Sequence, residues 1–112
     1  MIRSIYDLSE QLNNIAPTIY SHFNEFQQAP YIIYLDDGHD SFFADNRDML
    51  IGELFVVELY TENKEIAIEK QLESLFRSSG INFTKNPTQY IESDKYFMTS
   101  YDIKVVYKEE TQ

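Results

Sequence analysis

Residues 50–61 read LIGELFVVELYT, and the reading of this run decides the fold. Its side chains alternate across an extended backbone. Ile51, Phe55, Val57 and Leu59 share one face, with Glu53 the exception, and Leu54, Val56 and Tyr60 share the other. Both faces are largely apolar. A central β-strand therefore has both sides covered, or one side that meets a neighbouring subunit.

The segments after it change period. TENKEIAIEKQLESLFRSSG, from Thr61 to Gly80, repeats at helical spacing. Thr61 or Asn63 can cap it, acids crowd its first turn, Arg77 sits in its last, and Gly80 ends it. Ile68, Leu72, Leu75 and Phe76 form its apolar stripe. Glu65–Glu69 and Glu69–Glu73 read as like-charge pairs that keep the opposite side solvated. INFTK (81–85) is a short strand and NPTQ a turn. YFMTSYDIKVVY (96–107) alternates throughout, setting Phe97, Tyr101, Ile103, Val105 and Tyr107 against Ser100, Asp102 and Lys104. That is a half-buried antiparallel strand. Residues 108–112 are a polar, frayed tail.

On the other side, YIIYLDD (31–37) is a strand rich in β-branched and aromatic residues, with Pro30 just before it. TIYSHFNE (18–25) alternates weakly and reads as a short strand. Residues 4–15 read as a helix, with Ser4 as cap and Ile5, Leu8, Leu12 and Ile15 on one face, stopped by Pro17. The order α-β-β-β-α-β-β predicts an α+β fold, with an antiparallel sheet of four to five strands and two helices packed on one face.

The chain has 112 residues, the length of a single domain spanning 1–112 that folds without disulfides or metal. Cysteine is absent, so thiolate metal sites and cysteine nucleophiles are excluded. No apolar run suggests a signal peptide or a membrane span, which leads us to expect a soluble, intracellular protein. Nineteen acidic against 9 basic side chains give a formal charge of −10. Such a surface repels phosphates and anionic membranes. It suits a basic partner, or a passage through which DNA slides without sticking.

One segment concentrates the chemistry. DDGHDSFFADNRD (36–48) holds five aspartates and a histidine around Phe42 and Phe43, with Gly38 read as a turn. Its acids lack the alternate spacing, sixth-position glycine and closing glutamate of a calcium loop, so no metal is expected. No nucleophile–base set, phosphate loop or zinc motif appears, so neither an enzyme nor a cofactor is expected. The adjacent phenylalanines either fold under the loop or offer an aromatic anchor to a partner. The interface candidates are Asp36, Asp37, Asp40, Phe42, Phe43, Asp45 and Arg47.

PYIIYLDD, SFFADNR, VELYTENKE, SGINFTK and YIESDKYFMTSYDIKV occur in this order, and from about residue 5 to 107 the chain resembles the small tail-completion, or tail-terminator, proteins of tailed phages and prophages. The resemblance implies structural work. Such proteins cap the head-proximal end of the tail tube as a hexameric ring on which the head–tail connector docks. The partners implied are further copies of the chain, the tail tube protein and the connector, with DNA passing through the lumen. The location implied is the virion, after assembly in the host cytoplasm. Segment 36–48 would then be an assembly loop, and strand 50–61 the candidate for the heterologous contact a ring requires. The competing class is an acidic inhibitor (an immunity protein, antitoxin or DNA mimic) that blocks a basic partner.

Overall fold

The computed structural model describes residues 4–25, 27–39, 42–44 and 48–108. Two long antiparallel strands organise it. In chain order the elements are α1 (Ile5–Asn13), β1 (Thr18–Tyr20), β2 (Tyr31–His39), β3 (Phe42–Ala44), β4 (Asp48–Thr61), α2 (Ile66–Ser78), β5 (Asn82–Lys85), β6 (Gln89–Ile91) and β7 (Tyr96–Lys108). The sheet runs β1-β2-β4-β7-β5, with β3 beside β4 and β6 beside β7. All pairings are antiparallel except β1 with β2. At about 3.3 Å per residue, β4 spans nearly the whole 50 Å long axis of the molecule.

The predicted α+β class holds, with seven strands rather than four to five. The short strands β3 and β6 have no counterpart in the predicted order. At three residues each, they are held by the long partner strands and not by patterning of their own. β1 stops at Tyr20, short of the predicted 25, because Ser21 takes a left-handed φ of 72°. β7 extends through Lys108, so the expected tail begins a residue later, outside the described residues.

Alternation assigns the faces. Val57 lies opposite both Tyr34 and Tyr101, Phe55 opposite Ile103, and Leu59 opposite Ile32 and Thr99. These side chains are buried. All but Thr99 form one cluster with Leu8 and Leu12 of α1 and Leu72 and Phe76 of α2, so both helices cover the same face. Glu53, the polar exception on that face, accepts a hydrogen bond from the Tyr107 hydroxyl.

The helix ends follow their local chemistry. Ser4 caps α1 by accepting from the Asp7 amide at 3.4 Å. α2 closes in a Schellman turn, with Ile81 N–H on the Phe76 carbonyl at 2.8 Å and Gly80 N–H on that of Arg77 at 3.1 Å. Gly80 supplies the required positive φ of 69°. The start of α2 differs from expectation. Neither Thr61, the last residue of β4, nor Asn63 caps it. Glu65 is the cap residue and makes no side-chain capping bond.

Glu69 and Glu73 correct the picture of a solvated acidic face. They share the stripe of Leu72 and Phe76, and Glu69 is only 3% exposed. Lys64 and Lys85 grip its two oxygens at 2.6 and 2.7 Å. Glu73 takes Lys85 at 3.0 Å and the Tyr101 hydroxyl at 2.9 Å. The helix thus buries Glu69 and half-buries Glu73 because β5 ends on a lysine beneath them.

Burial pushes both carboxyls up, but hydrogen bonds from Lys64 and Lys85 to Glu69, and from Lys85 and Tyr101 to Glu73, outweigh it. Both are held below the ordinary 4.5. Their stabilisation is complete above that value and is lost as pH falls through the lowered folded values. Lys85 is raised above 10.5, chiefly by its hydrogen bond to Glu69. Its share is complete below 10.5 and is lost as pH rises through the folded value. Glu69→Gln should cost about 2 kcal/mol at neutral pH. In urea titrations, the gap to the wild type should close as pH drops below 4.5.

Candidate interface

The described residues of segment 36–48 continue β2 to His39 and form β3, an arm alongside the first residues of β4. β2 does not turn at Gly38. Asp36 pairs with Phe55 and Gly38 with Leu54, leaving Asp37 as the extra residue of a β-bulge. Gly38 holds a φ of 107° there, and its N–H donates to Asp36 Oδ1 at 2.9 Å. The glycine bends a continuing strand, which runs on to His39. β3 then pairs Phe42 with Leu50, Phe43 with Met49 and Ala44 with Asp48.

Four of the sequence candidates lie among the described residues. Asp36 and Asp37 are exposed on β2, and Phe42 and Phe43 lie in β3. Asp40, Asp45 and Arg47 fall outside the described residues. Among the described residues, no three or more His, Cys, Asp or Glu side chains are grouped to hold a metal ion. No helix among them is long and apolar enough to cross a membrane.

Among the described residues, the second face of the sheet carries no helix. Leu35 and Val56 lie opposite one another, with Asp102 beyond, and Leu54 lies opposite Lys104. Leu35, Leu54 and Val56 are partly exposed, and Val106 is 42% exposed. A shallow hollow of about 320 Å³ is lined here by Asp37, Leu54, Asp102 and Lys104, among others. The two alternatives posed by LIGELFVVELYT thus divide by face. Helices cover one, while the arm half of the other stays accessible among the described residues.

The opposite end of this second face is aromatic, a feature the sequence analysis did not single out. Tyr31 stacks on Tyr60 with ring centres 4.7 Å apart and planes 13° from parallel. Phe23 and Tyr96 meet Tyr31 edge-on at 5.5 and 6.1 Å. The Tyr60 hydroxyl donates to Glu58 at 2.9 Å, and the Ala29 N–H reaches the Tyr96 hydroxyl at 3.4 Å. The signal was present as Tyr31, Tyr60 and Tyr96 in three strands, but their meeting depends on a register that only pairing fixes.

No family model matches the chain, and no curated protein matches it. Among solved structures, it is similar in fold to a chain from the virion of a native gene transfer agent particle. The TM-score is 0.55 at 12% identity, covering 95% of this chain and 92% of that one. At this identity the likeness defines the fold: two helices over one face of a mostly antiparallel sheet.

Adjacent residues of β4 test the assignment of faces. Val56→Asp should change stability by no more than about 1 kcal/mol, since its side chain reaches solvent. Val57→Asp, which buries an unpaired carboxylate, should cost more than about 4 kcal/mol or abolish folding. Thermal melts followed by circular dichroism distinguish the two.

Proposed function

We propose that this protein is a non-enzymatic structural component of a phage-like virion. More specifically, we propose that it closes the head-proximal end of a tail tube as a ring to which the connector docks. The observation that carries the reading is the fold likeness, over nearly the full length of both chains, to a chain of a gene transfer agent virion. The shape of the molecule supports it. A ring needs two different complementary surfaces on each copy. The arm formed by β3 and the start of β4 offers one, and the helix-free face with Leu35, Leu54 and Val56 offers the other. A charge of −10 suits a lumen that DNA crosses without being captured.

The test is the mass and shape of the purified protein, alone and mixed with assembled tail tubes, by light scattering and negative-stain electron microscopy. The reading predicts a ring of about six copies, free or capping one tube end. A monomer that ignores tubes but binds a basic enzyme would support the inhibitor class instead. Phe42→Ala with Phe43→Ala should leave the circular dichroism spectrum intact and abolish ring formation or tube capping. Unfolding of the double variant would assign the pair to the core and remove the arm from the interface.

A further inference from the structure

We propose that the aromatic end of the helix-free face is a receptor for an arginine side chain presented by a partner protein. The hollow there measures about 520 Å³ and is lined by Phe23, Tyr31, Tyr60, Tyr96, Glu25 and Asp94, among others. Its walls are pinned. Phe23 packs edge-on against Tyr31. The turn bearing Asp94 is closed by the Asp94 and Lys95 amides, which donate to the Ile91 carbonyl at 3.2 and 2.7 Å.

Charge selects the occupant. Four ion pairs join Lys64, Arg77 or Lys85 to Glu69 or Glu73. These lie on the helix-covered side, and none reaches Glu25, Asp94 or Glu58. Burial first, and then the Asp94 carboxylate, raise the Tyr31 hydroxyl above its ordinary value. Among the described residues, the only other ionisable group lining it, besides the carboxylates and tyrosines, is His22.

A planar cation stacks on tyrosine faces and binds carboxylates through paired N–H donors. Arginine does both, whereas lysine offers a compact, strongly hydrated charge. A nucleic acid would bring phosphates to an acidic rim. The inference does not rest on the virion reading, because its described lining residues all belong to one chain.

The test is an NMR titration of the full chain with a Gly-Arg-Gly peptide and with its citrulline counterpart, which keeps the shape and loses the charge. The arginine peptide should give saturable shifts centred on the Tyr31, Tyr60 and Tyr96 rings, and the citrulline peptide should not. Glu25→Gln with Asp94→Asn removes two exposed carboxylates. It should keep the fold and weaken binding about fivefold. Shifts scattered over the acidic surface without saturation, equal binding of citrulline, or an unchanged double variant would each overturn the proposal. Peptide binding without tube capping would remove the virion reading alone; capping without peptide binding would remove this inference alone.

Discussion

The β4–β7 pairing is the constraint from which the rest follows. It runs without a break from Leu50 opposite Lys108 to Thr61 opposite Phe97. A slip of one residue would exchange every buried side chain on that strand for its exposed neighbour. The register therefore commits Phe55, Val57 and Leu59, with Tyr101, Ile103 and Val105, to the helices. It also commits Leu54, Val56 and Tyr60 to the opposite face. Because β4 extends beyond the helical layer, its first residues are left to pair with β3 and form the arm.

Tyr101 is where apolar and polar packing meet. Its ring is fully buried, edge-on to Phe76 at 5.6 Å and to Phe83 at 5.9 Å. Its hydroxyl donates to Glu73, and Lys85 lies 6.0 Å from its ring centre. Burial, and then the bond to Glu73, hold this phenol above its ordinary value. One side chain thus ties the centre of β7 to α2 and to the end of β5. The acids of α2 are compensated by lysines that remain partly solvated, so the cluster avoids the full desolvation cost of a deeply buried ion pair.

Much of this was legible from periodicity. Alternation in LIGELFVVELYT and YFMTSYDIKVVY gave the two central strands and their buried faces, and helical spacing gave α1 and α2. What escaped was set by long-range pairing. The burial of Glu69 depends on Lys85 arriving from another element, which a helical pattern alone does not carry. Gly38 reads as a turn, yet in the fold it completes a bulge, because β4 continues alongside and holds β2 extended. Of the candidate interface, the pattern marked a segment, 36–48, but not the pairing of Phe42–Ala44 with β4, which depends on a partner that lies further along the chain.

The proposed ring uses one asymmetry of the fold, helices over one face and an accessible apolar strip on the other, with the arm at the start of β4 beside it. Hydrogen–deuterium exchange on the free protein and on the protein captured on tail tubes addresses it directly. The account predicts slowed exchange in peptides covering the arm and the neighbouring parts of β2 and β4, with α1 and α2 unchanged. Protection confined to the helices would contradict it.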